Sequence, residues 1–553
     1  MDNKVENVIP QFLNNLKKQY KYAFFSGMIC GLTAHLYHFT NKFFNYDELY
    51  HTPEGTGEGL ALGRWGLYIT GQILKHFFGN YSFPLVNGLI ALIIMIFAAC
   101  TVIRAFEVKN VIYASVIGGL FAVFPSVTCN YFYMYTSPYY SLAMLLSCIS
   151  ALLITEKVSI LRCICSILLL SFSTGIYQSY FPVAVCILLG VLILNCQNLI
   201  NDKDSLDTDI SIVIILKRGC VYIGCLLASL IMYLIMNKAA LKIFNVTLMD
   251  YQGISSMGKI DPVYIIKKSL QSYSHFFHLF TEDVYKLNPT SVLKICALLL
   301  FILSLMSVTA TIIKKTDSNN TRSIKNITYI KIIYIILLSV YPIALFLLFS
   351  MIPPETSISA GMLNSTVFAF VLPLCILEQY DNKSDFFSKK TINIIAGWTA
   401  AISGTMIIFV YIWYANGNYQ SLQYTNYHDI AYYQTIMTQI KSVEGYSDEL
   451  PVIILGSKIS DTTNSAGGLV GDRFALGGKA ETNISAYSSN NLFTKYLGFT
   501  PEFLWSDEDQ LKYANDPTVI KMPCYPKEGA VKIIDGAIVV KLQEKEDWLV
   551  DTN

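Results

Sequence analysis

Long apolar runs, separated by short polar connections, fill the chain up to about residue 414. An apolar helix of about 18 or more residues, rising about 1.5 Å per residue, crosses the hydrocarbon of a bilayer. On that basis the pattern predicts about eleven spans, near 22–40, 84–103, 110–125, 138–155, 160–177, 180–196, 217–237, 292–313, 329–352, 360–378 and 391–414. The third and sixth are the shortest. Between the fifth and sixth, the sequence from Ser173 to Pro182 reads as a helix stop followed by a restart.

Two stretches depart from this pattern. In residues 59–78, Leu60, Leu62, Trp65, Leu67, Tyr68, Ile69, Ile73, Leu74, Phe77 and Phe78 are interleaved with glycines, Arg64, Gln72, Lys75 and His76. That reads as a helix lying along the membrane interface, holding the loop 41–58 against the surface. After residue 414 the composition changes. His428–Val443 has apolar residues at helical spacing, residues 451–456 read as a buried strand, and 531–541 read as a hairpin turning at Asp535-Gly536.

Lysine and arginine give the orientation. They gather before the first span and after the second, fourth, sixth, eighth and tenth, whereas the connections 126–137, 176–181 and 353–359 contain none. This predicts a cytoplasmic N-terminus, with 41–83, 238–291 and 415–553 outside. The expected organisation is a cytoplasmic segment 1–21, a membrane domain 22–414 and an extracytoplasmic α/β domain 415–553. The first apolar run lacks a small-residue cleavage site and reads as a span rather than a cleaved signal.

Composition agrees: 53% of the 553 residues are hydrophobic and only 14% charged, against about 25% charged in soluble domains. A net charge of +1 carries no electrostatic footprint for nucleic acid. Most of the 13 cysteines lie in apolar runs; only Cys129 and Cys524 are expected to be exposed, so no disulfide framework is predicted. The spans carry essentially no ionisable group in their interiors, unlike ion-coupled transporters. Chemistry is therefore expected at the extracytoplasmic rim.

The candidate chemistry concentrates in the first external loop. Asp47 and Glu48, with Glu54 and Glu58 behind them, precede Arg64 and Trp65. A carboxylate here could take the proton of an attacking hydroxyl, or be a solvated loop acid. Arg64 could hold a phosphate in its two-pronged fork, or snorkel to lipid headgroups. The run 130–140, with Tyr133, Tyr135 and Tyr139, and the group Tyr177, Gln178 and Tyr180 suit a sugar ring or prenyl chain, or an interfacial aromatic belt. The external region 238–291 contributes Asp250, Lys259, Asp261, His275, His278, Glu282 and Asp283. His35, His38, His51, His275 and His278 lack a defined carboxylate partner, so no metal site is predicted and a divalent metal is not indicated. The glycine-rich run 467–479 lacks the Gly-Lys-Ser/Thr ending of a phosphate loop and reads as a plain loop.

Together, Phe44-Asn-Tyr-Asp-Glu48, Leu62-Gly-Arg-Trp65 heading the interfacial helix, the multi-span body and the aromatic second external loop resemble the type II glucosyltransferase family. That family decorates O-antigen and related bacterial surface glycans. The resemblance covers roughly residues 20–415 and extends to the wider GT-C class of membrane glycosyltransferases. It implies a mainly α, polytopic GT-C-like bundle in the plasma (inner) membrane, with a small C-terminal extracytoplasmic α/β domain. It also implies a polyprenyl-phosphate-linked sugar donor, usually glucose, a surface-polysaccharide acceptor, and inversion at the sugar. Asp47, with Glu48 beside it, is the implied base, Arg64 the implied phosphate contact, and Tyr133, Tyr135, Tyr139, Gln178, His275 and His278 candidate substrate-lining residues. The loop 353–364 has no basic residue, where related transferases often place one. A lipid-linked glycan flippase or exporter, and a surface-polysaccharide polymerase or ligase, are the alternatives from other classes.

Overall fold

The computed structural model describes residues 14–51, 59–79, 82–201, 208–249, 261–314, 321–352, 358–381, 390–458, 474, 476, 482 and 484–548. Glu54, Glu58, Asp250, Lys259 and most of the glycine-rich run lie outside the described residues. The chain divides into two compact units, Met1–Thr40 with Glu54–Ala415, and Asn41–Pro53 with Asn416–Asn553. Contacts thus group the start of the loop that follows the first apolar run, residues 41–53, with the C-terminal unit.

Within hydrocarbon every peptide group must find its partner in its own segment, so apolar runs fold as helices. In chain order these are α1 (Lys18–Thr40), α2 (Tyr46–His51), α3 (Trp65–Phe78), α4 (Pro84–Ala105), α5 (Val111–Val123), α6 (Pro125–Tyr131), α7 (Ser137–Glu156) and α8 (Ile160–Ile176). They continue with α9 (Phe181–Asn201), α10 (Thr208–Ile243), α11 (Pro262–Thr281), α12 (Ser291–Ile313), α13 (Thr321–Leu345), α14 (Leu348–Met351), α15 (Phe368–Asp381) and α16 (Lys390–Ser442). Among the described residues, eight helical segments are long and apolar enough to cross a membrane. The remaining three expected spans are also helical, but Ile160–Ile176 and Asn364–Gln379 are shorter, and α1 is not among the eight.

In the first unit, α1 packs along α4 and α5 by backbone approach. A Cβ on Gly118 would lie 2.2 Å from the Ala23 carbonyl oxygen, and one on Gly27 would lie 2.8 Å from Ile96. Such small-residue seams suit helices that have no hydrophobic drive toward each other in lipid. The third expected span breaks at Phe124, which is extended, and Pro125 restarts it as α6. A proline cannot donate, so carbonyls at the end of α5 lose their helical partners. The buried His35 of α1 answers this, its Nε2 lying 2.9 Å from the Ala122 carbonyl oxygen, while the Nε2 of the buried His38 lies 2.9 Å from the Tyr131 carbonyl oxygen at the end of α6. The two histidines therefore pin α1 to the ends of both α5 and α6.

Two further expectations change here. Residues 126–137 are mostly interior rather than an exposed loop: Tyr131 is 1% and Tyr135 9% exposed, and Cys129 is buried within α6. The region 238–291, expected as an external loop, contains a full helix, α11, whose N-terminus is capped by Asp261 accepting from the Val263 amide at 3.0 Å. Between α11, α12, α13 and α15 lies an apolar cavity of about 300 Å³, lined by Phe276, Phe301, Leu305, Tyr341, Pro342 and Pro373.

The second unit is a small α/β fold. β1 (Val452–Leu455) pairs in parallel with β3 (Ala537–Lys541), which pairs antiparallel with β2 (Val531–Ile534), in the order β1-β3-β2. The β2–β3 hairpin turns on Asp535 and Gly536, with φ of 47° and 78°, as a tight hairpin with two left-handed residues requires. One sheet face packs Val452, Ile454, Ile538 and Val540 against Tyr433, Ile436 and Ile440 of α16. The other faces Tyr513 and Val519. Phe44 and Leu49 complete the first of these cores. The loop is also pinned through its backbone: the Phe44 amide donates to Asn426 Oδ1 at 2.9 Å, and Asn426 Nδ2 donates to the Phe44 carbonyl at 2.8 Å.

Candidate active-site residues

Candidate residues occur on both units, and each cluster is described on its own. In the first unit, the turn Gly59–Arg64 leads into α3. Its left-handed residue is Gly63, with φ of +69°, and the turn closes through the Arg64 amide donating to the Gly59 carbonyl at 2.7 Å. A Cβ on Gly66 would come within 2.9 Å of the backbone of Gly175 and Ile176, and one on Gly175 within 2.5 Å of the Trp65 ring. Only glycines allow the start of α3 to sit this closely on the end of α8.

That docking carries Arg64 to the aromatic residues beyond α8. Its guanidinium lies 4.7 Å from the centroid of the Tyr177 ring, and Nη1 donates to the Tyr140 hydroxyl at 3.3 Å. Tyr140 and Tyr177 stack with centroids 4.8 Å apart and planes 17° from parallel. Cation–π attraction of this kind contributes about 0.5–2 kcal/mol. The planar cation is thereby held against planar rings, an arrangement a lysine ammonium does not reproduce.

Gln178, one of the expected substrate-lining residues, supports this turn. Its Nε2 lies 3.2 Å from the Leu62 carbonyl, 3.4 Å from that of Gly63 and 3.0 Å from the Tyr233 hydroxyl. Tyr233 in turn donates to the Gly63 carbonyl at 3.1 Å. Beneath lies a buried polar layer in which Asn130 donates to Tyr180 at 3.0 Å and Asn364 to Ser179 at 3.3 Å. Asn364 belongs to the loop that lacks a basic residue. Of the selected tyrosines, Tyr135 is buried while Tyr133 and Tyr139 are partly exposed. Tyr140, one residue further on, makes the Arg64 contact.

His275 lies on α11 against Phe349, Tyr285 and Phe346, at centroid distances of 4.6, 5.6 and 5.7 Å. Burial, then the neighbouring His278 and Lys268, hold its pKa below the ordinary histidine value. His278 faces outward and approaches Glu282 at 3.9 Å. Among the described residues no group of three His, Cys, Asp or Glu side chains converges as a metal site.

In the second unit, α2 separates the two loop acids. Glu48 is 2% exposed, and its negative charge helps, after burial, to raise the pKa of Tyr496. Asp47 is partly exposed, and its Oδ1 accepts a 2.7 Å hydrogen bond from the Tyr487 hydroxyl. Partial burial, then the Asp47 charge and this bond, push the Tyr487 pKa upward, so the phenol stays protonated and donates. Asn45 accepts from the Glu48 amide at 2.8 Å and begins the helix. Tyr140, Tyr233, Asn426 and Tyr487 were not singled out from the sequence. Only Tyr140 carried a signal, as the last member of an aromatic run.

Comparison with curated proteins and with solved structures finds no match. Comparison with protein families does: the family described as Glucosyl transferase GtrII matches residues 36–374, more than half of the chain and including Asp47, Arg64, Gln178 and His275, and the chain belongs to that family of glucosyltransferases.

Proposed function

We propose that the protein transfers a sugar, glucose being the usual one in its family, from a polyprenyl-phosphate-linked donor to a cell-surface polysaccharide. The reaction takes place on the extracytoplasmic face of the plasma (inner) membrane. An acceptor hydroxyl attacks the anomeric carbon as its proton passes to Asp47. The bond from that carbon to the phosphate oxygen breaks, and polyprenyl phosphate departs with the electron pair. One direct displacement inverts the anomeric centre. Arg64 meets the negative charge that develops on the leaving phosphate, where a fixed cation acts without reorganisation.

The observation that carries this reading is the family match across residues 36–374. Two features support the residue roles. Arg64 is oriented by Tyr140, Tyr177 and the Gln178-supported turn. Asp47 is the better exposed of the two loop acids and has one oxygen already fixed by Tyr487. The eight apolar helices support a membrane setting, where a lipid-linked donor resides.

The test is mass and linkage analysis of surface glycans from cells with wild-type protein, Asp47→Asn, or no protein. The expected result is loss of a single hexose branch in both the mutant and the null, with the mutant protein present in the membrane at wild-type level. Parental modification by Asp47→Asn refutes the assignment of the base. Loss of whole polysaccharide chains in the null refutes the side-branch transferase.

A further inference from the structure

Asp47 does not stand alone on the surface of the second unit. The Tyr487 ring packs edge-to-face against Tyr50 at 5.3 Å and against Tyr46 at 6.4 Å, and Tyr50 packs against His51 at 4.8 Å. Tyr50 and Tyr487 are 42% and 46% exposed. Two features separate this patch from an aromatic belt in lipid. An interfacial tyrosine turns its hydroxyl toward headgroups, whereas the Tyr487 hydroxyl is committed to Asp47 at 2.7 Å. A carboxylate beside the rings also disfavours contact with an anionic membrane surface.

The chemistry matches a polyol with an apolar face. A pyranose presents C–H groups on one side, which an aromatic ring covers, and hydroxyls at its edge, which a carboxylate accepts. The rings are locked in edge-to-face pairs, so little side-chain freedom is lost on binding. The patch is anchored from below by Phe44 and Leu49 in the core and by Lys495 Nζ donating to the Leu49 carbonyl at 3.0 Å.

We propose that Tyr50 and Tyr487, with Asp47, form a saccharide subsite that binds a pyranose residue of the polysaccharide acceptor. Its description as an acceptor subsite rests on the glucosyl-transfer reading above; the binding of sugar does not. Tyr50 supplies the exposed stacking face. Tyr487 does two things: its ring backs the platform, and its hydroxyl holds one Asp47 oxygen in place, leaving the carboxylate oriented toward a bound hydroxyl.

The experiment uses the full-length protein in nanodiscs and oligosaccharide fragments of the surface polysaccharide from cells lacking this protein. Saturation-transfer NMR reads binding without turnover. Wild type should show saturable binding, Tyr50→Ala and Tyr487→Ala should each weaken it by about tenfold or more, and Tyr50→Phe should keep it within about threefold. In membranes, Tyr50→Ala should raise the acceptor KM while leaving the donor KM unchanged. Thermal unfolding checks that the variants are folded; Tyr50 is a surface residue, and Tyr50→Phe serves as a second folded control. No binding by wild type, or wild-type binding by both alanine variants, overturns the subsite. A Tyr50→Trp emission that is quenched by brominated lipid and unmoved by the fragments assigns the patch to the bilayer and also overturns it. Normal transfer by Asp47→Asn together with lost binding in Tyr50→Ala would sink the base assignment and leave the sugar site standing.

Discussion

Asn426→Leu tests what holds the loop with Asp47 in place. The Asn426 amide is 3% exposed and meets both backbone polar groups of Phe44, itself 1% exposed, at 2.9 and 2.8 Å. Leucine keeps the branching and the number of heavy atoms but supplies neither partner. Each buried group left unpaired costs about 1–3 kcal/mol, so the local cost is about 2–6 kcal/mol. The Phe44 amide reads its own share directly. Its opening becomes easier by about 1–3 kcal/mol, and exchange of the peptide spanning residues 41–51 should accelerate about 5- to 150-fold. Hydrogen–deuterium exchange with mass spectrometry on the detergent-purified full chain measures this. Asn426→Asp keeps an acceptor for the amide but sets a carboxylate oxygen against the Phe44 carbonyl, and should fall between leucine and wild type at neutral pH. Wild-type exchange over 41–51 in Asn426→Leu would refute the claim that this amide pins the loop.

Three other outcomes follow from the same geometry. Gly66→Ala drives a methyl to within 2.9 Å of the Gly175 and Ile176 backbone. This should lower thermal stability by about 1–3 kcal/mol and reduce transfer, both read on the purified protein and its membranes. Gln178→Leu removes the donor to the Leu62 carbonyl, although Tyr233 still serves Gly63. The cost of one orphaned carbonyl, about 1–3 kcal/mol, should appear as a loss of transfer rate of up to about 150-fold, and unchanged turnover would show that the turn holds Arg64 without it. For His275, the folded pKa lies below the unfolded value. The unfolded state then binds more protons as pH falls through about 6.5, and stability falls with it until the folded group also titrates. His275→Phe should flatten the dependence of the melting midpoint between pH 7 and 5, roughly the range over which an ordinary histidine gains its charge.

The membrane helices were legible because their signal is local. Apolar runs must satisfy their own peptide groups in lipid, so length and composition are enough to recognise Pro84–Ala105 or Ser291–Ile313 as helices. The β2–β3 hairpin was legible for a similar reason, since Asp535-Gly536 tolerates the left-handed backbone that the turn demands. The resemblance carried by residues 44–48 and 62–65 was also local, and it anticipated the family.

Tertiary structure decided which residues meet. Gln178 gave no sign in the sequence that its amide would support Leu62 and Gly63, because the contact spans 116 and 115 positions. The buried His35 and His38, for which no metal site was expected, serve the carbonyls of Ala122 and Tyr131 at the ends of α5 and α6, 87 and 93 positions away. The clearest case is the loop that follows the first apolar helix. Its acids stood out by charge alone, but its membership of the C-terminal unit depends on Phe44 and Leu49 entering that core and on an Asn426 bond spanning 382 positions. Period and composition report only how a segment partitions between lipid and water. The pairing of buried polar groups depends on which distant backbone atoms have lost their own partners, and that is settled when the chain packs.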